Sequence, residues 1–582
     1  MSDSNGDKDE IIKSLREETA SLRSTVKSLQ QAVEVNQSNG LTYYSSMNHG
    51  LTRENFNSIP DGGMAPRHVK ELIIQNHLGD FTPRLNTSSY VNVVSEKEER
   101  EVALLGGEVN LADASVYPAS VELHDTVVNM LAKLWHAPPP SDGEKNYCGA
   151  GTVGSTEACL LAGLAHKFRW RKWYKKQHNL TDEEVNGIRP NLVISTCYQA
   201  AWEKMFRYFD VDAKFAYPDI LENKMAVGAD DLVAQVDEKT MAVVCILGNH
   251  YNGVYDPVWD VDTKLKALNA EKGWQVGIHL DAASGGFVAP FQGRSGEEGP
   301  PPFDFRLDSV LSLSSSGHKF GEGAIGTGWV VFRQRKDLAE HIAVSVTYLG
   351  GHSDSMTLNF SRPATGPYVQ FYKLMRLGMS GYTQKVQNQM RVAAYLRKYM
   401  KDLKHSSGKP RFQVLDGGDT CTLPVVAARI NPDLKLHYDD IDLQHALSES
   451  HWYVSGYSLG FENFNNGGAM ENLVSDVPAE TTMFRIVCKS NLTMSLAEQL
   501  IDHFNEVLEV LDSLPAGYNA MKSNHLKVTR VSFARASFGG LSFAKVNMDE
   551  EEDDPPSKRQ KVDFVKAEKT PCRKRYSLHH VC

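Results

Sequence analysis

Five short apolar runs limit the fold of this chain more than any other feature. Residues 192–195, 241–246, 275–280, 309–313 and 328–332 read as strands, and helical stretches separate most of them. Strands alternating with helices predict an α/β domain whose sheet is largely parallel and covered on both faces. Such sheets bind ligands beyond the carboxyl ends of their strands, so function is sought in the turns that follow these runs.

The rest of the chain is arranged around that domain, which we expect to span 146–403. At 582 residues the sequence exceeds the roughly 250–300 at which single cores stop growing, which predicts one large domain with smaller additions. Residues 1–40 are an N-terminal extension in which Ile12, Leu15, Thr19, Leu22, Val26, Leu29 and Val33 recur at steps of three and four. That spacing suits a short coiled coil, and equally an amphipathic helix docked on its own subunit. Residues 41–145 form an approach segment with an amphipathic helix over 121–135, ended by Ala137-Pro138-Pro139-Pro140. A long helical stretch over 368–403 leads to a small α+β domain over 404–514, and 515–582 is a basic, then acidic tail.

Composition excludes several classes. Hydrophobic content of 41% and charged content of 23% are those of a globular protein, and no run of about 20 apolar residues is present to span a membrane. The acidic, polar start shows no targeting peptide. Eight cysteines without C-x-x-C or metal-ligand spacing predict free thiols in a reducing, cytoplasmic compartment and no metal site. A net charge of −10 argues against a broad nucleic-acid surface.

Four places carry candidate chemistry. Gly149 to Ala158 reads as a turn of small residues running into a helix, with Ser155 and Thr156 placed where free N–H groups favour a phosphate. Its Gly-x-Gly-x-x-Gly spacing also matches a dinucleotide fingerprint, without a supporting strand–turn–helix unit. Asp281 closes a buried run, where a carboxylate needs a cation or serves as a helix cap. Lys319, in Ser314-Ser315-Ser316-Gly317-His318-Lys319-Phe320-Gly321, follows another strand; desolvation there would free its amine for Schiff-base chemistry, although alone it reads as a surface lysine. Arg485 lies mid-strand among apolar residues, where an unpaired guanidinium is costly and a carboxylate partner is expected.

Phosphate turn, strand-end aspartate and strand-end lysine occur in the chain order of a pyridoxal-phosphate enzyme. From about Gly79 to Phe504 the sequence resembles the group II pyridoxal-phosphate-dependent decarboxylases, most closely the glutamate decarboxylases, of the aspartate-aminotransferase-like fold type I. NMLAKLWHAP (129–138), GTVGSTEACLLAGLAHKFRWR (151–171), HLDAASGGFVAPF (279–291), SSSGHKFG (314–321), YLGG (348–351), NFSRP (359–363) and MRLGMSGYT (375–383) carry the resemblance. It implies a Schiff base between Lys319 and pyridoxal 5'-phosphate, Asp281 on the pyridine nitrogen, and Gln199 stacked on the ring. It also implies Ser155, Thr156, Ser316 and His318 on the phosphate, with Ser361 reaching the phosphate of a neighbouring subunit. A homodimer or higher homo-oligomer follows. Arg485 would take the substrate α-carboxylate, and Thr87, Asn110 and Asp113 the distal one, with Asp113 sharing a proton and favouring acidic pH. The activity implied is decarboxylation of L-glutamate to 4-aminobutyrate and CO2.

This sequence also departs from the pattern. His250, in Gly248-Asn249-His250-Tyr251-Asn252-Gly253, stands where a threonine is common, Glu203 replaces a histidine, and Ser88 replaces a phenylalanine. His250 is a candidate to bond the cofactor or to protonate the substrate carbon. These changes leave open aspartate, cysteine sulfinate or an aromatic amino acid as substrate, or a catalytically silent assembly or signalling relative. Some plant relatives carry a calmodulin-binding tail, and the basic–apolar alternation over 522–545 permits such a regulator, against which Gly539-Gly540 and many serines weaken a helix. Lys558-Arg559-Gln560-Lys561 resembles a nuclear localisation cluster or a solvated tail.

Overall fold

The computed structural model describes residues 13, 15–16, 19–28, 59, 63–141, 143–221, 224–294, 298–338, 344–346, 353–418 and 420–514. The tail from 515, the whole YLGG motif (348–351), and Ile12, Leu29 and Val33 of the N-terminal seam lie outside the described residues. The chain divides into two compact units, 1–82 and 83–582. In the first, residues 19–28 are helical with Leu22 and Val26 exposed. A second helix, Pro66–His77, starts with proline at its first turn, where the missing N–H costs nothing. The second unit holds the site. Among the described residues no helix is long and apolar enough to cross a membrane.

The large sheet has seven strands: β1 (Gly149–Val153), β2 (Asn191–Ser195), β3 (Asp212–Ala216), β4 (Thr240–Ile246), β5 (Gly277–Asp281), β6 (Val310–Ser316) and β7 (Thr327–Phe332). Their spatial order is β1-β7-β6-β5-β4-β2-β3, with β7 antiparallel to both of its neighbours and the other pairings parallel. Every residue of β2, β4, β5 and β7 is buried, as strands covered on both faces require. Each of the five apolar runs became a strand. The helices that matter below are α1 (Lys97–Gly107), α2 (Pro118–Leu134), α3 (Gly154–His178), α4 (Ala200–Tyr208) and α6 (Thr365–Asp402), with α5 (Val258–Lys272) between β4 and β5.

One reading changes. Gly149 to Val153 is not a turn but edge strand β1, and the helix begins at once at Gly154, so strand runs straight into helix with no glycine turn between them. The small residues serve packing rather than turning. A Cβ on Gly149 would lie 2.6 Å from the Val330 carbonyl oxygen, and one on Gly328 would lie 2.3 Å from the Gly154 carbonyl. Glycine at both places lets β1, β7 and the start of α3 approach closely.

A second, antiparallel sheet follows α6, built from β8 (Phe412–Val414), β9 (Val425–Ile430), β10 (Ser455–Ser458) and β11 (Thr482–Val487) in the order β8-β9-β11-β10. It is backed by α7 (Met494–Ser513), capped by Thr493 Oγ1, which accepts from the Leu496 N–H. Leu496, Leu500, Phe504, Val507 and Leu511 of α7 form the apolar stripe that covers it.

Candidate active site

Adjacent strands β5 and β6 set the centre of the site. Asp281 ends β5 opposite Ser314 in the ladder, and Lys319 lies in the turn just past Ser316, the last residue of β6. Lys319 is only 2% exposed, and its Nζ donates to Ser284 Oγ at 3.2 Å. The turn is anchored by α6: Tyr382 Oη and Gln370 Nε2 both donate to the Gly321 carbonyl, at 2.8 and 3.1 Å. Gly317 is required here, because a Cβ would meet Gln370 Oε1 at 2.3 Å.

Asp281 is buried, and burial raises its carboxyl above the ordinary range. Trp202 Nε1 on α4 donates to its Oδ2 at 2.8 Å, the Ala283 N–H donates to Oδ1 at 3.1 Å, and the nearby Lys319 charge also opposes the shift. Gln199 caps α4 one turn before Trp202 and is half-buried.

The phosphate candidates converge through the sheet. Ser316 pairs with Gly328, Gly328 pairs with Thr152, and Gly154 N donates to the Gly326 carbonyl at 2.6 Å. Ser155 and Thr156 occupy the first turn of α3, where backbone N–H groups and the helix dipole favour an anion. The Ser316 hydroxyl, on the α3 face of β6, is buried without a hydrogen-bond partner, a costly state that an anion at this end would relieve; the partnerless hydroxyls of Ser315 and Thr327 lie on the other face, beside Gly286 and Gly366. His318 Nδ1 donates to the Thr327 carbonyl at 2.7 Å, and burial, then the Lys319 charge, pushes this imidazole down to about 4.

Arg485 lies in β11 as expected, 4% exposed. Its Nη2 donates to the Ser88 carbonyl at 2.7 Å, its Nε has no partner, and among the described residues no carboxylate forms an ion pair with it. Two aromatic rings stand in instead: Cζ is 4.7 Å from the Tyr90 centroid and 5.8 Å from that of Tyr457. The Tyr90 ring also lies 5.4 Å from Lys319 Nζ, so one side chain borders both the amine and the guanidinium. Tyr90 Oη donates to the His250 carbonyl at 3.3 Å, which brings His250, half-buried after β4, to the same place. Thr87 is buried beside β11: its carbonyl accepts from Val487 N at 2.8 Å and its Oγ1 donates to the Tyr453 carbonyl at 3.1 Å.

Asn110 and Asp113 fall elsewhere. Asn110 Oδ1 accepts from Arg362 N at 3.2 Å and its Nδ2 donates to the exposed Ser361 Oγ at 3.4 Å. Asp113 Oδ1 accepts from the Val116 N–H. No described hydrogen bond or ion pair joins Asn110 or Asp113 to Thr87 or Arg485 within one chain. The sequence reading also missed Trp202, Ser284, Tyr90 and Tyr457. Ser284 lay inside a quoted stretch and Trp202 between the named Gln199 and Glu203, whereas nothing local marks Tyr90 or Tyr457.

These residues fit pyridoxal phosphate: a buried amine, a dry strand-end carboxylate for a ring cation, and a partnerless serine hydroxyl near a helix N-terminus for a phosphate. Together with this strand order they define the class, a fold-type-I pyridoxal-phosphate-dependent enzyme. The pyridoxal-dependent decarboxylase conserved domain matches residues 103–408. The chain is 33% identical over 450 residues to a glutamate decarboxylase beta of Listeria monocytogenes, covering 77% of this chain and 89% of that protein. It is 33% identical over 462 residues to a glutamate decarboxylase of Petunia hybrida, covering 79% and 84%. The solved glutamate decarboxylase of Lactobacillus brevis superposes with a TM-score of 0.69 at 32% identity, covering 79% of this chain and 95% of that one. This chain belongs to the pyridoxal-dependent decarboxylase family.

Proposed function

We propose that the chain is a glutamate decarboxylase, removing the α-carboxylate of L-glutamate as CO2 and leaving 4-aminobutyrate. One observation carries the reading: Arg485, a buried cation with no carboxylate partner among the described residues, borders the same Tyr90 ring as the buried amine of Lys319. An amino acid carries the missing carboxylate and the reacting nitrogen on one carbon. Relatives named glutamate decarboxylase at 33% identity over most of both chains support glutamate as that amino acid.

Bound pyridoxal phosphate supplies the electron sink that accepts the bonding pair when the Cα–carboxylate bond breaks. In this reading Lys319 holds the cofactor and yields to the substrate amine, and Asp281 balances the ring nitrogen's proton. Ser155, Thr156, Ser316 and His318 seat the phosphate, while Gln199 packs on the ring. Arg485 orients the α-carboxylate, Thr87 contacts the distal one, and His250 holds a proton for Cα. The protein's share is orientation and electrostatics in a water-poor pocket.

The unit of function is a homodimer or a higher homo-oligomer. Asn110 and Ser361 are bonded to each other, and exposed Val116, Val153, Ile325 and Phe360 lie in the segments around them, an apolar margin that suits a second copy. Ser361, Asn110 and Asp113 then act on the partner's site as one group. The six cysteines among the described residues stand as thiols, which supports a reducing, cytoplasmic compartment.

The test is CO2 release from glutamate, aspartate, cysteine sulfinate and aromatic amino acids, with Lys319→Ala as the blank. Release from glutamate that Lys319→Ala abolishes is expected; release from aromatic substrates alone refutes the roles of Thr87 and Asp113. His250 and Ser88 favour a second reading, in which another amino acid is the better substrate, and His250→Thr then shifts the preference toward glutamate.

A further inference from the structure

Asp281 continues into a row of polar side chains that no role above uses. The Cys159 thiol adjoins the Asp281 carboxylate and helps to oppose the rise that burial causes, and its Sγ is 3.3 Å from Ser314 Oγ. Ser314 Oγ is 3.0 Å from His279 Nε2, and His279 Nδ1 is 2.8 Å from Ser312 Oγ. Ser312 Oγ is in turn 3.0 Å from His166 Nε2. All of these groups are at most 3% exposed.

The fold dictates this row. His279 and Asp281 are two apart on β5 and share a face, as do Ser312 and Ser314 on β6; the ladder pairs His279 with Ser312 and Asp281 with Ser314. Cys159 and His166 are seven apart on α3, two turns along one side of the helix that packs on β6.

Donor counting then gives the row a direction. A hydroxyl has one proton to donate, and a neutral imidazole donates from one nitrogen while accepting at the other. Burial keeps both rings neutral: His279 is held well below its ordinary range and His166 is pushed down to about 3. Each serine bridges two partners, so it donates to one and accepts from the other. With Asp281 ionised the carboxylate only accepts, and every link follows from that one condition. His166 Nε2–H donates to Ser312, Ser312 to His279 Nδ1, His279 Nε2–H to Ser314, Ser314 to Cys159, and Cys159 to Asp281. Reversing the direction needs a proton on Asp281, and puts the His166 proton on Nδ1, beside the Met241 carbonyl.

We propose that this row is a polarised hydrogen-bond relay that holds Asp281 ionised, making His279 and Ser314 positioning residues that act on the reaction through Asp281. The proposal rests on Asp281 as the partner of the cofactor's ring nitrogen. An ionised Asp281 keeps that nitrogen protonated, so the relay sets how strongly the ring draws electrons. Aligned dipoles in a dry interior strengthen one another, which is why a break several bonds away is felt at the carboxylate.

The test uses ¹⁵N-labelled histidine in the cofactor-free protein, with His279→Gln to assign the resonance, and kinetics of the loaded enzyme. The parent is expected to show His279 as the Nε2–H tautomer. Ser314→Ala is expected to lose that single tautomer and to lower kcat by about tenfold with KM within about twofold, and Ser314→Thr to restore both. Asp281→Asn, whose amide can donate, is expected to turn His279 to Nδ1–H. Should Ser314→Ala fail to fold, Ser312→Ala carries the same prediction one link further back. An inactive Asp281→Asn together with an unchanged tautomer and kcat in Ser314→Ala overturns the relay alone. Full activity in Asp281→Asn refutes the ring-nitrogen role, and the relay's purpose with it.

Discussion

The Trp202 indole N–H donates to Asp281 Oδ2 at 2.8 Å, joining the first turns of α4 to the end of β5 in a fully buried contact. Trp202→Phe keeps an aromatic ring but removes the donor, leaving a buried carboxylate oxygen with one bond fewer. We expect a stability loss of about 1–3 kcal/mol and weaker cofactor binding. Thermal unfolding and an absorbance titration with pyridoxal phosphate measure the two; unchanged cofactor affinity would show that this bond only supports packing.

Arg485→Lys retains charge but loses the planar fork and its stacking on Tyr90 and Tyr457. The expected result is a glutamate KM raised about tenfold or more, with the bound-cofactor spectrum intact. Tyr90→Leu probes the same contact from the other side and is expected to cost about 1–2 kcal/mol of substrate binding. A normal KM in both variants removes Arg485 from carboxylate recognition.

His318 gives the cofactor-free protein a defined acid sensitivity. Its ring titrates near 4 when folded against an ordinary value of 6.5, so between these limits the unfolded chain binds a proton that the folded one refuses. Its contribution is complete above pH 6.5 and lost as pH falls toward 4, on the order of 3 kcal/mol in all. Urea unfolding at several pH values should show a shallower acid loss for His318→Gln than for the parent. Parallel curves would mean that the ring is already charged in the folded protein.

Gly328→Ala tests the seat of α3. The new Cβ would lie 2.3 Å from the Gly154 carbonyl and 2.6 Å from Thr152 Oγ1, so the helix start must move. Phosphate-end binding is expected to weaken by about tenfold or more, read as the dissociation constant of pyridoxal phosphate. Retained affinity would place the phosphate away from this helix.

Much of this arrangement was legible beforehand because it depends on short-range pattern. Apolar runs reported buried strands, and a charged residue closing one, Asp281, or interrupting one, Arg485, marked a site because burial makes such residues costly. The stretch from Gly149 misled because glycine has two uses: a glycine run reads locally as a turn, and only the facing strand β7 reveals that small size was needed for close approach. Tyr90 and Tyr457 were invisible for another reason. A tyrosine among polar neighbours carries no sign that a distant strand will bring a guanidinium to its face. Asn110 and Ser361 are bonded across a wide stretch of sequence, and no local spacing announces such a pair.

The position of β1 bears on how the protein is made. As the outermost strand of its sheet, β1 has β7 as its one neighbour, with Val153 paired to Thr327. On a translating ribosome the segment that begins α3 therefore emerges long before the strand that seats it. A nascent chain ending before β7 has Ser155 and Thr156 on a helix whose leading strand has no partner yet. Until β7 emerges, β1 is an unpaired edge of the kind that chaperones shield.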